Sequence, residues 1–272
     1  MLNYAELHAA APLDSLIRCF WFLSGDALGA EPQVVVPDGR LEIILHLADP
    51  FYRVEADGQH VQSRALLSGQ LTAPITLRAG IATDIVGIRF RTSAAKSVLA
   101  LPLSELTDRV ESLDAVAPKL SVALYAAAQR ARTAQTRTAA LSQVLARFVR
   151  HTPDALASAV VRSLDTTQGP KVGLIADRFG VTARTLERKV RESTGLPPNV
   201  MRRVLRFRRA FHMLDSAPPG TWARVAVRAG YFDQAHLIRD FRQFAGAPPS
   251  EFFGNGPELA RAILAGEDEA AA

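Results

Sequence analysis

The sequence predicts an α+β chain: a β-rich N-terminal half, then an all-α domain in which two helix–turn–helix patterns flank a linker helix. Three observations predict it. Residues 1 to about 100 are short apolar runs punctuated by Gly and Pro. From Leu120 onward the apolar spacing turns helical. In the last third one pattern occurs twice, at Lys171–Arg191 and Thr221–Phe241: a short helix with an Ala, a Gly at the turn, and a polar residue opening a second helix.

In chain order, Val34-Val-Val-Pro-Asp-Gly39 reads as a strand meeting a turn, and Leu41–Leu47 as a mostly apolar strand that Pro50 ends. Ala65–Gly69, Ile75–Leu77 and Ile85–Arg91 are further short strands, a spacing that suits a sandwich or small barrel. Ser93 is placed to cap a helix through Leu99, which Pro102 stops, and Ser104-Glu105 begins a short one. Leu120, Leu124, Ala127 and Ala128, then Leu141, Val144, Leu145 and Phe148, mark two helices with a break between Thr133 and Thr138. Pro153-Asp154 opens a helix that reaches Leu164, and Thr166–Pro170 is a loop. We expect residues 1–150 to form the β-rich domain with trailing helices, 152–254 the helical domain, and 255–272 an acidic tail whose close, at Glu267-Asp-Glu269 and three alanines, is solvated.

Composition narrows the function classes. At 272 residues and 48% hydrophobic, the chain is long enough for two ordinary cores. It has no apolar run of membrane-spanning length, and its start lacks the basic stretch of a secretory signal. Cys19 is the only cysteine, so a reducing, cytoplasmic setting is expected; between Arg18 and Phe20-Trp21-Phe22 it reads as a small buried hydrophobe. Charge is distributed unevenly. Residues 171–254 hold 15 Lys and Arg against 7 Asp and Glu, whereas the remainder holds 17 against 20. A basic half beside a slightly acidic one points to a polyanion partner for the basic half.

The repeated pattern specifies what the polyanion is. In the first unit Leu174, Ile175, Ala176 and Phe179 supply an apolar face, Gly180 the turn, and Thr182 a cap near Thr185. Leu186 and Val190 hold the second helix to the core, leaving Arg184, Glu187, Arg188 and Arg191 outward. Arg forks onto guanine and Glu accepts from cytosine, so Arg184, Glu187 and Arg188 are candidate base readers and Arg191 a candidate phosphate contact. In the second unit Val225, Ala226 and Ala229 pack inward, Gly230 turns the chain, and Asp233 caps. Leu237 and Phe241 anchor its second helix; Gln234, His236 and Arg239 are the candidate base readers, and Arg242 a phosphate contact. Ala235 and Ile238 near the same face make this second head poorer in base-reading groups. Between the units, Val204, Leu205, Phe207, Phe211 and Leu214 form an apolar stripe, and five arginines crowd the rest of the helix. Of these, Arg202, Arg203, Arg206 and Arg209 are expected to clamp phosphates while the helix fixes the separation of the heads.

Residues from about 155 to 253 resemble the AraC/XylS-type transcription regulator domain, two helix-turn-helix units joined by a long helix. The resemblance is carried by Ile175-Ala176, Leu186–Val190, Thr194–Pro198, Val204–Ala210 with Leu214, Ala229–Phe241 and Gly246–Phe252. The first half resembles the N-terminal domain of one branch of such regulators, through Val36–Gly39, Ile43–Leu47, Ser68–Gln70 and Ile88–Phe90. That implies a cupin-like β-domain that senses a small molecule or mediates dimerisation. The partners expected are double-stranded DNA, a small-molecule effector, RNA polymerase and a second copy of the chain.

If the β-domain encloses a ligand, Trp21, Phe22, Phe51 and Phe90 are its candidate wall residues. No enzyme is expected: the sequence holds no Gly-x-Ser-x-Gly elbow around Ser68, no phosphate-cradling loop and no paired carboxylates. His46 and His60 lack a metal-ligand spacing and read as packed or surface histidines, so neither metal nor cofactor is expected. The alternative to a sequence-specific regulator is a small-molecule-binding or assembly protein whose basic domain holds nucleic acid without reading it.

Overall fold

A computed structural model describes residues 3–25, 31–99, 101–167, 170–218 and 221–265. The N-terminal region is built from two antiparallel sheets. The larger runs in the order β1 (Asn3–Leu7), β2 (Ile17–Gly25), β9 (Thr83–Phe90), β4 (Glu42–His46), β7 (Ala65–Ser68), β10 (Val110–Ser112). The smaller runs β3 (Gln33–Val35), β8 (Ile75–Arg78), β5 (Tyr52–Glu55), β6 (Gly58–Val61).

Side-chain alternation along the central strands decides what each face of the larger sheet meets. Phe20, Phe22, Ile43, Leu45, Leu67, Val86, Ile88 and Phe90 share one core cluster with Leu113, Leu120, Leu124, Leu141 and Leu145. Those last five lie on α1 (Leu113–Val116), α2 (Pro118–Arg130) and α3 (Ala134–Phe148), so helices cover that face. Cys19, Trp21, Leu23 and Ile85 point the other way and meet Phe51, Ala79 and Leu259. Gly87 pairs with Trp21 across the β2–β9 ladder, and a Cβ there would lie 1.8 Å from the indole, so the indole lies flat only over a glycine.

The helical region follows. Asp154 caps α4 (Ala155–Leu164), accepting from the Ala157 N–H at 2.9 Å. The first unit is α5 (Val172–Arg178) and α6 (Ala183–Thr194), and the linker helix is α7 (Pro198–Asp215). The second unit is α8 (Trp222–Ala229) and α9 (Gln234–Ala245), and α10 (Pro249–Gly254) closes it. One core joins them all. Phe207 stacks edge-on against Phe241 at 5.0 Å, and Phe211, Phe244 and Phe252 complete the aromatic cluster. Each fully buried side chain of this kind contributes about 1.5–3 kcal/mol of burial free energy.

Three expectations change. Residues 93–99 form only a single 3-10 turn, Ala95–Ser97, because one turn suffices to bury Ala94, Ala95, Val98 and Leu99. Leu174 does not join the apolar face of α5; it is 61% exposed while Ile175 and Ala176 are buried. Beyond residue 254, where an acidic tail with no element of its own is expected, Glu258–Ala265 forms a further helix, α11. The acidic triplet Glu267-Asp-Glu269 lies outside the described residues.

Helix α11 has two working faces. Leu259 belongs to the cluster around Trp21 and Phe51, whereas Ala260 and Leu264 belong to the helical-domain core. Arg89 donates to the Ile263 carbonyl at 3.1 Å, and Arg261 pairs with Asp215 at the end of α7 at 2.7 Å. The turn after β3 makes a second bridge. Val36 is buried in the helical-domain core, and Arg208 of α7 donates to the Asp38 carbonyl at 3.0 Å.

Candidate nucleic-acid interface

The first reading helix forms as its sequence dictates. Thr182 stays extended, and its hydroxyl accepts from the Thr185 N–H at 3.2 Å, satisfying a donor the helix leaves open. Gly180, with φ +63°, supplies the left-handed turn before it, as Gly230, with φ +92°, does in the second unit. Leu186 and Val190 are buried, so Arg184, Glu187, Arg188 and Arg191 are driven to the solvent side. Arg188 makes one exposed pair, with Glu192 at 3.0 Å. Arg184, Glu187 and Arg191 form no ion pair among the described residues. This face therefore holds exposed donors with little to compete for them.

The second reading helix differs. Asp233 caps α9 through the His236 N–H at 2.7 Å, and Leu237 and Phe241 are buried. Gln234, Ala235, Arg239 and Arg242 are exposed, and Ile238 is half-buried. His236, expected to face outward, is drawn inward: its Nε2 accepts from Arg206 at 3.1 Å and its ring packs edge-on against Tyr231. Burial, and next the Arg206 cation, hold its pKa below the ordinary value, so it serves as a neutral acceptor. Phe232, beside the cap, is 89% exposed.

The linker arginines are where the sequence reading needs most correction. Asp240 of α9 is buried, and it accepts from Arg203 at 2.7 Å and from Arg206 at 2.9 Å. Arg206 also lies 4.4 Å over the Tyr231 ring. At the other end of the pattern Asp165 holds Arg208 at 2.8 Å and Arg209 at 3.3 Å. Four of the five arginines on this helix thus pair with two carboxylates of the domain, the buried Asp240 and the exposed Asp165. Arg202 is half-buried and shares a small cleft with Arg206 and Arg209. No sequence periodicity announces Asp240 or Asp165; each sits in its own helix pattern as an ordinary polar residue.

The β-region contains the second notable feature. Between its sheets lies a cavity of about 70 Å³. Trp21 and Phe51 border it, with Leu23, Ile44, Leu77 and Ile85. Phe22 and Phe90 do not: they are buried on the helix-covered face of the same sheet. The strand period forbids the expected set, since adjacent Trp21 and Phe22 must point to opposite faces. Leu259 and Ile263 of α11 supply another wall, and Val36 and Asp38 a third. His46 borders the cavity and is buried; His60, by contrast, is exposed and lies 3.0 Å from Asp57 on the β5–β6 hairpin.

Two capped helix–turn–helix units on one linker helix, each presenting exposed basic residues, define a tandem DNA-reading domain. Residues 175–255 match a family model described as a helix-turn-helix domain, and residues 5–112 one described as a domain of unknown function, DUF6597. The helical region thus carries a helix-turn-helix domain. The chain is 35% identical over 77 residues to the HTH-type transcriptional activator RhaS of Escherichia fergusonii; the match covers 28% of this chain and only 27% of that protein. Among solved structures it is similar to the DNA-binding domain of AdpA in complex with a target DNA, at 26% identity over 40% of this chain and 96% of that one, TM-score 0.34. It is also similar to a variant of ToxT from Vibrio cholerae, at 14% identity over 86% of this chain and 97% of that one, TM-score 0.47. No helix among the described residues is long and apolar enough to cross a membrane.

Proposed function

We propose that this protein is a sequence-specific transcription regulator, working on double-stranded DNA in the cytoplasm, with an effector site between the sheets of its N-terminal region. The observation that carries the reading is the pair of capped reading helices, α6 and α9, packed on one linker helix, α6 through the apolar core and α9 also through Asp240. Arg184, Glu187 and Arg188 read bases from α6, and Gln234 and Arg239 from α9. Arg191 and Arg242, exposed at the outer ends of those helices, contact phosphate. The linker arginines Arg203, Arg206 and Arg209 fix the relative placement of the heads, and His236 supports Arg206. The cavity supports an effector role because two of its walls, α11 and the turn at Val36–Asp38, are packed against the helical domain. A molecule filling the cavity presses on elements the DNA reader also holds.

The test is selection of binding sites from random DNA by the purified chain. A two-part motif with sub-sites about one helical turn apart is expected. Recovery of no motif, with equal affinity for all sequences, overturns sequence-specific readout.

A further inference from the structure

The effector cavity is lined mainly by aliphatic and aromatic side chains, with Asp38, Arg40, Glu42, Gln62 and Ser68 also at its wall, and one further polar group there is unmatched. His46 is 1% exposed, and neither Nδ1 nor Nε2 meets hydrogen-bond geometry with a partner among the described residues, the Gln62 side chain beside the ring falling short of it. Its backbone is fully engaged. The His46 N–H donates to the Arg64 carbonyl at 2.8 Å, and its carbonyl accepts from the Tyr125 hydroxyl at 3.0 Å. The ring lies against Phe51, centroids 5.4 Å apart, so it is held in place with its polar edge unused. A buried donor or acceptor left unmade costs about 1–3 kcal/mol, a cost a bound partner would remove.

The lining defines what that partner is. Alternate residues of β4 face the cavity, putting Glu42, Ile44 and His46 in a row. At 3.3 Å per residue the row spans about 13 Å. Glu42 at one end is spoken for: one oxygen accepts from Arg89 and the other from the Trp21 indole N–H at 3.2 Å. At the other end burial pushes the His46 pKa down to about 4, with Gln62 opposing and Arg64 adding, so the imidazole is neutral. A neutral imidazole offers one donor and one acceptor. A carboxylate can use only the donor, and the cation beside the ring, Arg64, already donates to the Ala48 carbonyl and the Tyr125 hydroxyl; an ammonium can use only the acceptor, near that same cation. A hydroxyl can use either nitrogen at no charge cost.

Resting on the effector reading of this cavity, we propose that it binds an uncharged, mainly apolar molecule no longer than about 13 Å whose single hydroxyl hydrogen-bonds to His46 while Leu259 and Ile263 of α11 close over its apolar part.

Isothermal titration of the full-length chain with 1-octanol, 1-chlorooctane, octanoate and octylammonium tests this. Octanol is expected to bind at least tenfold more tightly than either ion. His46→Phe, which keeps an aromatic ring but removes both nitrogens, is expected to weaken octanol five- to tenfold and leave chlorooctane within twofold, the loss of one hydrogen bond. A variant-free readout stands beside it. The nitrogen-15 resonances of the wild-type His46 ring should move on adding octanol and not on adding chlorooctane. Octanoate binding more tightly than octanol, or unmoved ring resonances with octanol bound, overturns the ligand class while leaving an effector site in place. Binding of none of the four overturns the cavity as a small-molecule site altogether. Neither result touches the DNA-reading proposal, which site selection tests without ligand.

Discussion

The two reading heads share a plan and differ in what their charges are used for. In the first, α6 spends almost nothing on the rest of the domain: Lys189 pairs with Asp154 at 2.7 Å, and the outward Arg184, Glu187 and Arg191 are left to solvent. In the second, Asp240 and His236 turn inward to Arg203 and Arg206, Gln243 accepts from Arg203, and Gln234, Arg239 and Arg242 remain outward along α9. The difference teaches that a basic helix is not by itself a DNA surface. A head can be fastened by the charges that would otherwise read, and then its position is exact while its vocabulary is small.

The sharpest way to break this comparison is Asp240→Ala. Removal of the carboxylate strands two guanidiniums, one of them only 16% exposed, against an apolar neighbourhood. Breaking a buried pair from one side costs about 3–5 kcal/mol. Urea denaturation of the chain should register a loss of that order, whereas Glu187→Ala on the first head, exposed and unpaired among the described residues, should stay within about 0.5 kcal/mol. Equal small losses would mean the second head is not fastened through Asp240.

Much of this architecture is legible in the sequence, and the part that is not has physical reasons. Thr182, Asp154 and Asp233 each cap the helix their position indicates, because capping is settled within three residues. The strands β3, β4, β7, β8 and β9 fall where short apolar runs end at Gly or Pro. Strand β2 is harder to see: Ile17–Gly25 is buried on both faces, so it shows no polar alternation, and its place between β1 and β9 depends on a pairing far away in sequence. The β5–β6 hairpin has only exposed or half-buried residues and carries no apolar signal. Among the site residues, Trp21 and Phe51 line the cavity while Phe22 and Phe90 do not, a distinction that strand parity alone would have drawn for the adjacent pair. The partners of the linker arginines were hidden because Asp240 lies 37 residues from Arg203, and only packing brings them together.

Next in size is base readout. Arg188→Ala should weaken binding to the selected site by about 1–3 kcal/mol, roughly five- to 150-fold, with little change on random DNA. Arg239→Ala, on a helix flanked by Ala235 and Ile238, should cost less on the cognate site and lose a larger share of its effect on random DNA. Gel-shift titration with both DNAs decides it. A larger cognate-specific loss for Arg239 than for Arg188 reverses the ranking of the heads.

Caps give a smaller and more symmetric contrast. Thr182→Ala and Asp233→Ala each remove one side-chain acceptor at a helix start, at about 1 kcal/mol apiece in thermal or urea melts. Asp233→Ala should cost the more of the two, because its carboxylate also faces the positive end of the α9 dipole. A cost for Thr182→Ala exceeding that of Asp233→Ala would show that the first head depends on its cap more than on its core.

The last contrast separates arginines that touch phosphate from arginines that hold the fold. Each phosphate contact contributes about 0.9 to the slope of log K against log salt. Arg191 and Arg242 are exposed and form no ion pair among the described residues, so Arg191→Ala or Arg242→Ala should lower the slope by about that amount and weaken cognate and random DNA alike. Between 50 and 200 mM salt, such a change alters the ratio of the two affinities by only about three- to fourfold, so the slope itself has to be measured. Arg203 already donates to Asp240 and to Gln243 at 2.9 Å. Arg203→Ala should therefore destabilise the domain while leaving the slope of its folded fraction unchanged. If the slope falls by a full unit for Arg203 and not for Arg191, the linker helix lies against the DNA backbone, and its ion pairs with Asp240 must open when the complex forms.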